Sequence, residues 1–192
     1  MQVLKFGGTS VANAEAIQQV VEIVSRSVDR DRTILVVSAI RGCTDALIRI
    51  GNLASHRDEA YKDVIDDLQK QHHQIIKDLL PVEKHEESLE TCDSLFNSLR
   101  SIAQGVYLLG ELSPASLDAI QGFGEMWSTK ILATKLASIG IATKWVDSRS
   151  IIRTVPKNGK NIVDIQKTYF KVNEMVEKNP ITQLFVVPGF IA

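Results

Sequence analysis

The 192-residue chain reads as an α/β sandwich with a helical lobe beside the sheet, on three observations. Residues 2–6, then Ile17, Val20, Val21, Val24 and Val28 at helical spacing, then the β-branched run TILVVSA (33–39) succeed one another as strand, covered helix and buried strand. That is a βαβ unit, whose crossover is right-handed. From 43 to about 110 the apolar residues recur at helical spacing instead. Near the end, LFVV is again a continuous apolar run suited to a strand buried on both faces.

Along the chain, Asn13 or Ser10 caps the first helix. TDALIRIGNLASHR opens on a cap-like Thr44-Asp45 pair. Tyr61, Val64, Ile65, Leu68, Ile75, Ile76 and Leu79 mark a long amphipathic helix, which Pro81 breaks. Leu89, Cys92, Leu95, Phe96, Leu99, Ile102 and Val106 mark a second, and the short link predicts antiparallel packing. This is the helical insertion, about 55–110. Ser113-Pro114 starts another helix; Gly122 and Gly124 are expected to interrupt it before a further helix over 125–138, ended by Gly140. IATKWVDS alternates as a strand, and Asn158-Gly159 marks a hairpin whose first arm Pro156 weakens. Residues 164–178 read as a helix before the last strand and its Pro-Gly turn. The apolar terminus Phe190-Ile191-Ala192 has the look of a cut through a longer protein.

Composition excludes several classes of function. Apolar residues are 44% and charged residues 23%, and the net charge of −1 provides no field to draw in nucleic acid or an anionic membrane. No basic stripe with interleaved aromatics suggests nucleic-acid binding, and no long apolar run suggests membrane spanning. Cys43 and Cys92 fit no metal spacing and read as free thiols of a reducing cytoplasm. The expected location is therefore cytoplasmic.

The first strand-to-helix turn carries the chemistry. VLKFGGTSVAN sets Lys5 at a strand end, then Gly7 and Gly8, then Thr9 and Ser10, then a helix. Glycines let backbone N–H groups face an anion, a helix start favours it, and a lysine supplies a mobile point charge. The spacing is neither a Walker A loop nor G-x-G-x-x-G. On pattern alone a second reading stands level: Lys5 as an edge-strand solubility charge and Gly7-Gly8 as a tight turn. Two other stretches share the look. VVSAIRGCTDAL puts Ser38 at a strand's carboxyl end and Thr44 at a helix start, where ligands of open parallel sheets bind, though Thr44 also suits a plain N-cap. GFGEMWS sets Glu125 after two glycines, fit to hold a substrate ammonium or merely to favour a helix dipole.

KFGGTS (5–10) resembles the opening signature of the aspartokinases, in the amino acid kinase superfamily. VVSAIRGCTDAL resembles that family's second motif, GEMWS (124–128) its third, and VPGFIA its glycine-phenylalanine strand end. The four motifs stand in the family's order across essentially the whole chain. The helical insertion and LLGELSP are similar to aspartokinases fused to homoserine dehydrogenase. The resemblance implies a three-layer αβα sandwich with a mostly parallel sheet, of which residues 1–192 are the N-terminal, incomplete part of a catalytic domain. It implies transfer of the ATP γ-phosphate to the side-chain carboxylate of L-aspartate, the first step toward lysine, threonine and methionine. Lys5 would offset charge on the transferring group, with Gly7, Gly8, Thr9 and Ser10 around its oxygens. Ser38 and Thr44 would contact aspartate, Glu125 would hold its α-ammonium, and Phe190 would border the pocket. Mg²⁺ would come with ATP, held by phosphate oxygens rather than by a protein metal site. NAD(P) would enter only with a following dehydrogenase domain, and a homo-oligomer is expected. The family's arginine-glycine-glycine-serine-aspartate loop and its adenine-binding half are not in these residues, so the chain alone is expected to be inactive or nearly so.

Other residues have plainer readings. His56, His72, His73 and His85 fall in or beside the helical lobe, and adjacent His72 and His73 point about 100° apart on a helix. They read as solvated helix faces. Cys43 at a helix start favours a lowered thiol pKa but has no evident base partner. Trp127 and Trp145 read as core or interface packing, and Asp147 and Arg149 as either cleft lining or a surface pair.

Overall fold

A computed structural model of the protein describes residues 1–157 and 160–189. Four parallel strands, β1 (Gln2–Phe6), β2 (Thr33–Val37), β3 (Thr143–Trp145) and β6 (Leu184–Pro188), form its sheet in the order β1-β2-β6-β3. Lys5 stands in register with Val36, Val36 with Val187, and Trp145 with Val186. α1 (Ala14–Val28) is the crossover from β1 to β2; Asn13 caps it by accepting from the Ala16 N–H at 2.8 Å. The five apolar residues spaced along α1 are all buried. The α/β reading therefore holds.

One face of the sheet carries α1 and the helices α2 (Cys43–Ser55), α3 (Tyr61–Leu79), α4 (His85–Leu109) and α5 (Pro114–Ser138). One apolar cluster runs without a break from Leu35 and Val186 of the sheet through Ile17, Leu47 and Leu132 to Phe96 of α4. The other face carries α7 (Ile165–Glu177) over a smaller cluster of Ile151, Met175, Phe185 and Val187. α6 (Ser148–Ile151) and the antiparallel pair β4 (Thr154–Lys157) and β5 (Lys160–Val163) lead into α7. The pair forms with Pro156 in its first arm, as expected; the Asn158-Gly159 turn lies outside the described residues.

Three expectations need correction. Gly122 and Gly124 do not interrupt a helix: α5 is continuous for 25 residues, opened by Ser113, whose hydroxyl accepts from Ser116 N–H at 3.1 Å, with Pro114 at the first position. A Cβ on Gly124 would stand 2.8 Å from the Ala39 Cβ and 3.2 Å from the Cys43 Sγ, so this glycine serves close helix packing rather than a turn. Thr44 is not an N-cap. That position belongs to Gly42, at φ +80°, a conformation that favours glycine. His72 is not on a solvated face. It is fully buried, with its ring 4.9 Å from Trp127 and 5.6 Å from Phe96.

Candidate functional site

The carboxyl ends of the parallel strands bring the motif segments together. Beyond β1, Gly7 and a 3₁₀ turn (Gly8–Val11) pass so near the loop after β2 that a Cβ on Gly8 would stand 2.9 Å from the Ala39 carbonyl oxygen. Ser38 N–H donates to the Phe6 carbonyl at 3.1 Å, and Gly189 N–H to the Val37 carbonyl at 3.2 Å, so the three strand ends are tied side by side. From α5, the Ser128 hydroxyl donates to the Ser38 carbonyl at 2.9 Å. Glu125, one helical turn earlier, is 8% exposed, and its Oε2 lies 3.5 Å from where a Cβ would stand on Gly189.

Lys5 is exposed and sits on an edge strand of the described sheet. Its register with Val36 puts it on the face that carries α7. Thr9 and Ser10 belong to the 3₁₀ turn, and Ser10 N–H closes on the Gly7 carbonyl at 3.0 Å. The first N–H groups of such a turn have no acceptor within it. The glycine pair thus leads into a 3₁₀ turn and not directly into α1. Ser38 is half-buried between Phe6 and Ser128, and Thr44 is exposed in the first turn of α2. Phe190 lies outside the described residues. The structure therefore brings Gly8, Ser38 and Glu125 together and leaves Thr44 on the exposed start of α2.

Four residues that the sequence left without a role, or with an open choice, find their places here. Ser128 is the residue that ties the Glu125 turn to the Ser38 strand end; its spacing of three from Glu125, which puts both on one helix face, was the available signal. Gly189 lies beside the Glu125 carboxylate, and a Cβ there would press on Val36 Cγ1 at 3.1 Å. Asp147 and Arg149 are both a pair and a cleft wall. The Arg149 Nη2 lies 2.6 Å from the Asp147 Oδ2 and 3.6 Å from the Met126 Sδ. Arg149 holds the Asp147 carboxyl below its ordinary pKa, and Asp147 raises that of Arg149. Together with Asp118, Ser148 and Pro188 they line a hollow of about 30 Å³ at the β6 end. Ser148 Oγ is buried there with no hydrogen-bond partner among the described residues.

Cys43 carries no nucleophilic character. It is wholly buried, and burial raises its thiol to about 12, against any lowering by the helix start. Cys92 is raised to about 12 in the same way, and both thiols are free. Among the described residues no three His, Cys, Asp or Glu side chains are grouped to hold a metal ion, and no helix is long and apolar enough to cross a membrane.

The profile of the amino acid kinase family matches residues 1–192. The chain is 31% identical over 191 residues to a bifunctional aspartokinase/homoserine dehydrogenase 1 of Zea mays, and 27% identical over 189 residues to one of Arabidopsis thaliana, both chloroplastic. In each case 98% of this chain is covered, but only 20% of the relative. The chain thus spans about a fifth of the length of these curated relatives. Among solved structures, aspartokinase III of Escherichia coli with aspartate and ADP (R-state) superposes with a TM-score of 0.82 at 24% identity, covering 100% of this chain and 41% of that one. The same enzyme with lysine and aspartate (T-state) gives 0.84 at 23% identity, covering 98% and 40%. Such likeness establishes the three-layer fold with its parallel sheet. The described parts of four motifs at one sheet edge, a profile that matches from end to end and a shared fold lead to one conclusion: the chain belongs to the amino acid kinase family.

Proposed function

We propose that these residues are the phosphate corner and part of the acceptor pocket of an aspartate kinase, which transfers the ATP γ-phosphate to the side-chain carboxylate of L-aspartate. The observation that carries this reading is Glu125: a carboxylate 8% exposed, set at the carboxyl end of a parallel sheet beside Gly189 and tied through its helix turn to Ser38. A buried carboxylate at a ligand-binding sheet edge suits a substrate ammonium. The relatives are named aspartokinases, and the superposed structures hold aspartate, one of them with ADP.

The acceptor carboxylate is ionised at neutral pH, so no general base is required. The site needs in-line placement and charge stabilisation for a loose phosphoryl transition state. In this proposal Lys5 offsets the charge of the moving phosphoryl group, and N–H groups from Gly7 and Gly8, with Thr9 and Ser10 beside them, orient its oxygens. Ser38, Thr44 and Phe190 border the aspartate. Magnesium would enter with ATP, held by the nucleotide's own phosphate oxygens, and would shield their charge. Because the chain spans about a fifth of the bifunctional relatives' length, turnover is proposed for a protein carrying the remainder. The 192 residues by themselves are proposed to turn over slowly or not at all.

The test is aspartate-dependent acyl phosphate formation, trapped as the hydroxamate, in a protein of the relatives' full length. Glu125→Gln is expected to lower kcat/KM for L-aspartate by about 100-fold, as for loss of one partner of a buried charge pair. The KM for ATP is expected to hold, and the preference for aspartate over succinate to collapse. Lys5→Ala is expected to lower kcat by roughly 100- to 1,000-fold. Unchanged discrimination between aspartate and succinate in the Glu125 variant would sink the assignment of the ammonium site. A Lys5 variant that alters stability but not turnover would favour a fold kept without its chemistry.

A further inference from the structure

We propose that the cleft between α4, α5 and β3, away from the phosphate corner, is a binding site for a small monocarboxylate with an apolar body. The cleft measures about 170 Å³, below the roughly 300–1,000 Å³ typical of sites for drug-sized ligands. Trp127, Trp145, Leu95, Ile131 and Cys92 form its apolar lining, and Lys130 and Glu87 are its charged residues.

Lys130 is the feature that points to an anion. Its ammonium is half-buried and lies 4.0 Å from the centroid of the Trp145 ring. It makes no ion pair among the described residues, and the carboxylates of Asp147, whose charge acts on it, and of Glu87, which also lines the cleft, are already engaged. Asp147 is held by Arg149 at 2.6 Å and Glu87 by Lys84 at 3.2 Å. Burial lowers the Lys130 pKa and the charge of Asp147 opposes the shift, so the ammonium is compensated only in part, at a cost. An incoming carboxylate removes that cost, while the indole walls take its hydrocarbon end out of water. The wall is also fixed in place: Trp145 Nε1 donates to Thr129 Oγ1 at 2.9 Å, and Thr129 Oγ1 to the Glu125 carbonyl at 2.5 Å. A rigid wall of this kind lowers the ordering cost of binding. The inference stands independently of the phosphoryl-transfer reading.

The chain's two tryptophans are the two that line the cleft, so intrinsic fluorescence reports its occupancy directly. The probe is 4-methylpentanoate, titrated into the 192-residue chain, with 4-methylpentanamide as the uncharged match. Saturable change with the acid is expected, with binding at least about 10-fold weaker for the amide and for Lys130→Gln, and restored in Lys130→Arg. No saturable change with the acid, or equal response to acid and amide, overturns the proposal and leaves Lys130 as a cover for Trp145. The acid–amide comparison uses the unaltered chain, so it decides the matter even where a Lys130 variant fails to fold.

Discussion

His72 is the buried one of four histidines, and its two ring nitrogens have different fates. Nδ1 lies 2.7 Å from the Leu68 carbonyl and therefore carries the proton it donates; Nε2 has no partner among the described residues. Burial against Phe96 and Trp127, with neighbouring His73 adding to it, lowers its pKa to about 4 from 6.5. Between those two values the unfolded chain binds a proton that the folded chain refuses. The contribution of His72 is thus intact above the unfolded value and is lost as pH falls toward the folded one, by about 3 kcal/mol in all. Urea midpoints taken from about pH 7 down to about pH 4.5 should fall steeply, and His72→Leu should flatten that slope whatever it does to absolute stability. An equal slope in both proteins would place the acid sensitivity elsewhere. Asp147, whose pKa is lowered from 3.8, loses its pairing below this window and does not imitate it.

At the scale of elements, α5 sets two glycines two residues apart against different surroundings. A Cβ on Gly122 meets nothing within 4 Å, whereas one on Gly124 meets the rigid Ala39 Cβ at 2.8 Å. Gly122→Ala is therefore expected to stabilise by about 0.5–1 kcal/mol through helix propensity, and Gly124→Ala to destabilise by about 1–3 kcal/mol through overpacking. Thermal melts of the two variants moving in the same direction would refute that account. The pair also shows how much was legible in advance. Strand and helix identities came from local periodicity, which is why β2 and the buried stripe of α1 needed no tertiary information. Whether a glycine breaks a helix or lets a neighbour approach depends on a contact between α5 and the loop after β2, far apart in sequence. The burial of His72 likewise depends on Trp127 and Phe96, from two other helices. At the site, the residue types of the motifs were readable from the start. The Ser128-to-Ser38 tie and the nearness of Gly189 to Glu125 were not, because only the folded sheet edge creates them.

At the scale of the whole molecule the two faces of the sheet are unequally secured. α5 buries Phe123, Trp127, Ile131, Leu132 and Leu136 among others, within the continuous cluster that reaches α4, whereas Met175 is the one buried residue of α7. Ile165, Tyr169 and Phe170 of α7 remain 65–76% exposed and add little to its hold on the sheet. Val172 and Val176 pack half-buried against the small cluster, while polar bonds cap the start of α7 and hold the loop that follows it. Asp164 accepts from the Lys167 N–H at 3.0 Å, and the Arg32 guanidinium, from the start of β2, donates to the Asn179 carbonyl at 2.8 Å and the Thr182 carbonyl at 3.0 Å. Burying one methionine-sized side chain contributes roughly 1.5–3 kcal/mol and the two half-buried valines less than that each, so α7 should detach below the global unfolding free energy. Native-state hydrogen exchange should then show amides of α7 and of the β4–β5 pair exchanging at least about 10-fold faster than those of β2 and α5. Arg32→Ala should widen the gap by loosening α7 while leaving α5 unaltered. Equal protection on both faces would mean that the three layers open as one unit, and that the small cluster beneath α7 holds as firmly as the large one beneath α5.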